Sequence, residues 1–138
     1  MSTNVRPNIS EEHPYWLDKH RFYELKHFCL QYLQWQKSRD TVSELGPRLY
    51  EQMYAKSSER VDPTASAAEE RVFYSSRIEM VEKTAVEADA ELAEYILLGV
   101  TRGLSYEVLS LKHGIPASRD TYYNRYRKFF WLLSKKRG

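Results

Sequence analysis

The sequence predicts an all-α fold, and three observations support that prediction. Apolar residues recur at intervals of three and four along most of the chain, which is the period of one side of an α-helix. Glycine and proline are scarce, with five of each in 138 residues, and this argues against a β fold rich in turns. No stretch alternates apolar and polar residues over the length of a strand.

The first predicted helix covers Tyr15 to about Lys37. Pro14 suits a first helical turn, because the amide hydrogen that proline lacks would be unpaired there in any case. Residues 1–12 are polar, and we expect them to be disordered. The apolar residues of the helix lie on one wide side and predict that it is well buried: Phe22, Leu25, Phe28, Cys29, Tyr32 and Trp35.

A weaker region separates this helix from the next one. The helical stretches that begin at residue 38 are interrupted by Gly46-Pro47, where proline clashes with a continuing helix. Residues near 57–61 are polar and predict an exposed linker. A clear start signal follows, since Asp62 can accept hydrogen bonds from free amides while Pro63 occupies the first helical position.

The helix after Pro63 has apolar residues with a period near 3.5, which predicts a seam against another helix. The seam consists of Tyr74, Ile78, Val81, Ala85, Ala88 and Leu92. Its partner is either Tyr15–Lys37 of the same chain, which is the simpler interpretation, or a helix of another protomer. Residues 13–89 are therefore predicted to form a helical, coiled-coil-like body, and Asp89 can restart the helix at a bend.

The positive charge is concentrated at the C-terminal end. From Arg102 to Arg137 there are nine Lys and Arg residues against Glu107 and Asp120, an excess of seven positive charges. Because the whole chain has a net charge of +2, the remainder carries −5. A basic end on a nearly neutral protein indicates an anion-binding surface, and nucleic acid is the commonest partner of such surfaces.

The stretch GLSYEVLSLKHGIPASRDTYYNRYRKFF predicts two helices joined by a short turn, within a C-terminal domain of residues 90–138. Ser105 is a good N-cap for the first helix, with Val108, Leu109 and Leu111 available for its inner side. Gly114 suits the left-handed residue that ends a helix, and Pro116 prevents direct continuation. The second helix then begins near Ser118 or Asp120, either of which can cap it.

The residue spacing in the second helix predicts one apolar side and one polar side. Its apolar side is Tyr122, Tyr126, Phe129 and Leu133, spaced by four, three and four residues. The opposite side and the helix ends carry groups suited to base edges and phosphates. These candidate DNA-binding residues are Arg119, Thr121, Tyr123, Asn124, Arg125, Arg127, Lys128, Lys135, Lys136 and Arg137.

These residues resemble a known family. GLSYEVLSLKHGI is similar to the first helix and turn of the promoter-reading C-terminal domain of bacterial sigma factors. The wider pattern, from DPTASAAEE to RDTYYNRYRKFFWLL, resembles phage and prophage transcription regulators of the RinA/ArpU type. The resemblance implies a sigma-like helix-turn-helix that binds double-stranded DNA in a bacterial host cell. The turn PASRD departs from the sigma pattern by about two additional residues.

Two other kinds of protein remain open at this stage. One is a protein-binding phage inhibitor that blocks a host nuclease or RNA polymerase, and the other is a small terminase-like DNA-packaging subunit. A homodimer would suit DNA binding, because one short helix reads few base pairs. No apolar stretch reaches the roughly 20 residues of a membrane span, so we expect no membrane association and a cytoplasmic location.

Catalytic and metal-binding interpretations are disfavoured. His13, His20 and His27 recur every seven residues near Cys29, but seven helical residues separate two side chains by roughly 10 Å, too far for one zinc ion. Cys29 lies on the apolar side of its helix and is expected to be a core residue. No nucleophile elbow, phosphate-binding glycine loop or paired-carboxylate motif is present. We therefore expect neither an enzyme nor a bound metal or cofactor.

Overall fold

The computed structural model describes residues 10–44 and 63–138. Several sequence predictions therefore lie outside the described residues: disorder over 1–9, the interruption at Gly46-Pro47, the linker near 57–61 and the Asp62 cap. The described residues contain helices and no strand, so the all-α prediction is confirmed. The helices are α1 (Lys19–Cys29), α2 (Tyr32–Glu44), α3 (Pro63–Ala88), α4 (Ala93–Arg102), α5 (Tyr106–His113) and α6 (Arg119–Arg137).

The described residues divide into two compact units. One unit holds residues 10–31 and 80–138, so it contains α1, the last turns of α3, and α4 to α6. The other holds residues 32–44 and 63–79, with Val42 and Ala67 buried in it. All ten candidate DNA-binding residues belong to the first unit.

The N-terminal prediction of one helix over Tyr15–Lys37 is wrong in two respects. Pro14 does not begin the helix; the side chain of Asp18 accepts a hydrogen bond from His20 N (3.0 Å) and caps α1 four residues later than predicted. The helix also ends at Cys29, because the Leu30 and Gln31 amides fold back onto carbonyls of the last turn. The pattern of apolar residues does not reveal such a break, because these residues keep helical spacing both before and after the break.

Two predicted features in the centre of the chain are confirmed, namely the helix start at Pro63 and the bend at Asp89. α3 begins at Pro63 and runs for 26 residues, and the seam residues Ile78, Val81, Ala85 and Ala88 are buried in the single chain. Between α3 and α4, Asp89 Oδ1 accepts hydrogen bonds from the amides of Glu91 and Leu92. Asp89 therefore redirects the chain by capping the turn that leads into α4.

The predicted pair of C-terminal helices is present, and its turn follows the predicted chemistry. Ser105 Oγ accepts from Val108 N (3.3 Å) at the start of α5. Gly114 ends α5 in the left-handed conformation (φ 63°, ψ 40°), and Ile115 is buried beneath the turn. One inward prediction is wrong: Leu111 is 87% exposed, because it lies two residues after the fully buried Leu109 and therefore on nearly the opposite side of α5.

The core of the first unit forms around α6, which packs against α1 and α4. Phe22 of α1 meets Phe130 edge to face at 5.1 Å, and aromatic rings continue along α6 through Tyr126 and Tyr122. Edge-to-face pairs add to the apolar area that they bury. In the part of the chain that the structure describes, no helix has both the length and the apolar character needed to cross a bilayer.

Candidate nucleic-acid interface

The start of α6 is capped, exposed and held by the preceding turn. Ser118 Oγ accepts a hydrogen bond from Thr121 N (3.2 Å), so the helix begins at Arg119. Of the two predicted caps, Ser118 and Asp120, the structure therefore has Ser118. Tyr106 Oη donates to Ala117 O at 2.6 Å and ties the turn to α5. Arg119, Asp120 and Thr121 are exposed. The first turn of α6 therefore reaches solvent on a firmly positioned backbone.

The buried side of α6 is wider than the sequence predicts. The predicted apolar residues Tyr122, Tyr126, Phe129 and Leu133 are all buried, and Phe130 joins them. Tyr123, predicted to face DNA, is also buried, and its Oη accepts a hydrogen bond from Tyr106 N at 3.1 Å. Because α6 packs against two helices, its buried arc extends to position 123. Tyr123 is therefore a core residue.

Opposite the buried side, α6 presents a narrow strip that we call the outer face. Its members are spaced by three, four and seven residues, which places them on one side of a helix. Thr121 and Lys135 are exposed, whereas Asn124 and Lys128 are half-buried. The outer face consists of Thr121, Asn124, Lys128 and Lys135.

Carboxylates engage three of the predicted DNA-binding cations. Arg119 pairs with Glu107 of α5, and both side chains are 57% exposed. Arg125 Nε donates to Asp89 Oδ2 at 3.1 Å, and Lys136 pairs with Glu87 of α3. Carboxylates of the same chain thus neutralise part of the positive charge at the basic end. Asp89, Glu87 and Glu107 escaped the sequence prediction because nothing in their local pattern indicates which cation they meet.

Aromatic rings engage two more of these cations. Lys135 Nζ lies 3.5 Å from the centroid of Trp131, and the Arg137 guanidinium lies 3.8 Å from that of Phe28. Such cation–π contacts still leave the ammonium or guanidinium group able to bind an anion. Tyr15 of the N-terminal segment also packs on Trp131, with ring centroids 5.4 Å apart.

Two cations of α6 have no hydrogen-bonding, ionic or aromatic partner among the described residues. Arg127 Nε is buried without an acceptor, and Lys128 lies on the outer face. Lys112 and His113 at the end of α5 are exposed, and Lys112 adds a positive charge near the turn. Neither residue was among the predicted DNA-binding residues, although basic residues in a last helical turn are a recognisable signal.

The polar residues that suggested a metal or a reactive thiol have ordinary roles. His13 Nδ1 accepts from Tyr15 N (3.0 Å). Within residues 10–44 and 63–138, no three His, Cys, Asp or Glu residues gather as metal ligands do. Cys29 is fully buried, and burial raises the pKa of its thiol far above the usual range, so it stays protonated.

Comparison of the chain with protein-family models, with curated proteins and with solved structures gives no match.

Proposed function

We propose that this protein is a phage or prophage transcription regulator that binds double-stranded DNA through the start and outer face of α6. The observation that carries the proposal is the exposed, capped start of α6, set by the left-handed Gly114 turn after α5. In helix-turn-helix proteins the N-terminal residues of the second helix contact base edges. The resemblance to RinA/ArpU-type regulators and a cytoplasmic location in a bacterial host are part of the same proposal.

The positions on the outer face have chemistry suited to a groove. Thr121 and Asn124 carry short polar side chains near the helix start, and Lys128 follows one turn later. Arg119 can exchange Glu107 for a phosphate at small cost, because an exposed ion pair contributes only about 0–1 kcal/mol. The carboxylates of Asp89 and Glu87 engage Arg125 and Lys136, so the proposed contact does not depend on these two cations. The DNA contact is therefore concentrated in the first three turns of α6.

The test measures how DNA affinity depends on salt in a matched pair of variants. Duplexes that tile the DNA around the protein's own gene are titrated by fluorescence anisotropy at several salt concentrations. Lys128→Ala should weaken binding several-fold and reduce the slope of log K against log salt by about 0.9, the contribution of one lost phosphate contact. Lys19→Ala removes the same charge from the exposed start of α1 and should leave the slope unchanged.

The result that contradicts the proposal is equally direct. Equal slopes for both variants mean that the outer face does not meet the phosphate backbone. Absence of duplex binding by the unmodified protein at low salt rejects DNA binding altogether.

A protein-binding inhibitor is a second candidate, and the internal pairing of the basic residues favours it. Leu111 is 87% exposed beside Lys112, and a protein partner that covered it would remove apolar area from water. If this candidate is correct, the tagged protein should retain RNA polymerase or a nuclease from the bacterial host and no DNA, and Leu111→Ser should reduce that retention. Chromatography with light scattering decides whether a homodimer forms.

A further inference from the structure

Asp89 connects the α3–α4 junction to α6 through its two carboxylate oxygens. Oδ1 accepts from the amides of Glu91 (2.9 Å) and Leu92 (3.1 Å), which fixes the carboxylate to the backbone before α4. Oδ2 accepts from Arg125 Nε at 3.1 Å. The Asp89 side chain is 20% exposed, so solvent screens this pair less than an open surface pair. The Arg125 guanidinium is therefore held against a fixed point of the fold.

Arg125 extends this constraint to the outer face. Its Nη1 donates to Asn124 Oδ1 at 2.8 Å. A guanidinium group has donors and no acceptor, so the amide atom that it meets must be the oxygen of Asn124 and not the nitrogen. The orientation of the Asn124 amide thus follows from the chemistry of its neighbour. Asp89, Arg125 and Asn124 form one chain of hydrogen bonds that starts at the α3–α4 junction.

The engaged oxygen limits what Asn124 can offer to DNA. An unrestrained asparagine recognises adenine with both ends of its amide, donating to N7 and accepting from the N6 amino group. Here the Arg125 guanidinium already engages one of the two lone pairs of the oxygen, through a charge-assisted bond that is stronger than a neutral one. An amino hydrogen that approached the second lone pair would also meet the positive charge of Arg125, which disfavours a second bond at this oxygen. The NH2 group is left with two donors. Guanine presents the acceptors O6 and N7 in the major groove and thymine presents O4, whereas cytosine presents a donor.

We propose that the Asp89–Arg125–Asn124 chain makes Asn124 a donor-only reader, which selects guanine or thymine and gives adenine no bidentate contact. Asp89 and Arg125 act as positioning residues, because Asp89 holds Arg125 and Arg125 holds the Asn124 amide. This inference rests on the proposed binding of duplex DNA and specifies the base chemistry of that same surface. It also replaces the asparagine–adenine pairing that the residue type alone suggests.

The experiment selects bound duplexes from a library with a randomised region, using the full-length protein and its variants. The unmodified protein should select guanine or thymine at one position of the bound sequences. Asn124→Ala should lose the preference at that position. The expected loss of discrimination there is on the order of tenfold. Lys128→Ala is the matched control on the same face: it should lower affinity for all sequences and leave the base preference intact.

Arg125→Lys tests the positioning role without removing charge. Lysine can still pair with Asp89, but it has one nitrogen in place of the guanidinium fork that reaches both Asp89 and Asn124. With its oxygen released, Asn124 should accept adenine at the affected position, shifting the adenine-to-guanine ratio on the order of tenfold. A melting temperature close to that of the unmodified protein establishes that the variant is folded, and a role in stability alone would not change the preferred base.

Three outcomes overturn the inference. Adenine as the preferred base at the Asn124-dependent position contradicts the donor-only reading, and an unchanged preference in Arg125→Lys removes the positioning role. Uniform weakening of all sequences by Asn124→Ala assigns that residue to a phosphate. Each of these outcomes leaves DNA binding itself in place, whereas a failure of the unmodified protein to retain any duplex rejects the proposed function as well.

Discussion

Gly99 of α4 is a position where one added methyl group should disturb the core. A Cβ at this residue would overlap Tyr122 Oη and lie 3.3 Å from Tyr122 Cζ. The Tyr122 side chain is fully buried, and its hydroxyl group has no hydrogen-bond partner. Burial raises the pKa of this phenol far above its usual range, so the hydroxyl keeps its proton and remains a buried donor without an acceptor.

The change in the free energy of unfolding expected for Gly99→Ala is the difference between a steric cost and a gain in helix propensity. Overpacking a well-filled core costs about 1–3 kcal/mol. Replacing glycine by alanine inside a helix returns about 1 kcal/mol. The difference between these terms is about 0–2 kcal/mol. Because the overlap with Tyr122 Oη is severe, Gly99→Ala should lower the free energy of unfolding by about 2 kcal/mol, the upper end of that range. Tyr122→Phe removes the unpaired hydroxyl and should raise it by about 1–3 kcal/mol, since an unsatisfied buried polar group costs that amount.

The assay is urea unfolding followed by far-UV circular dichroism on both single variants and the double variant. In Gly99→Ala/Tyr122→Phe the overlapping oxygen is absent, so the alanine should cost much less than in the unmodified protein. Independent sites add to within about 0.5 kcal/mol. A coupling energy no larger than that, or a Gly99→Ala variant as stable as the unmodified protein, would refute the steric reasoning.

Two further predictions concern local features. Ser118→Ala removes the cap of α6 and should reduce the free energy of unfolding by about 1 kcal/mol. Its control is Ser110→Ala, at an exposed position inside α5, which should not be destabilising. Equal urea midpoints for the two variants would contradict the capping role of Ser118. Cys29, the one cysteine of the chain, is buried with a raised thiol pKa, so an alkylating reagent at neutral pH should label the native protein only as fast as it opens, and the urea-unfolded protein at once. Labelling of native protein at the rate of a free thiol would show that the side chain is accessible.

Several local features could be predicted because short-range chemistry decides them. Ser105, Gly114 and Ser118 act where the sequence predicts, since a cap or a left-handed residue depends on the few peptide groups next to it. The buried members of α6 followed from their spacing for the same reason. Helix boundaries were less accessible: α1 starts at Lys19 and ends at Cys29, within a stripe that looks continuous.

The width of a buried side was harder to predict than its direction. Tyr123 and Leu111 were assigned to the wrong environment, and both errors concern how many neighbours a helix has. α6 packs against α1 and α4, so a residue at the edge of its apolar side becomes buried. Periodicity gives the direction in which a helix faces the core, but the number of helices around it depends on the whole arrangement.

The sequence alone determined that the chain is helical, where its C-terminal helices start and stop, and that positive charge is concentrated in residues 102–137. Only the tertiary structure decided which of those charges remain available. Arg125 meets a carboxylate 36 residues away, and Arg119 meets one 12 residues away. Electrostatic pairing depends on distance in space, which folding sets, whereas capping and periodicity depend on neighbours along the chain.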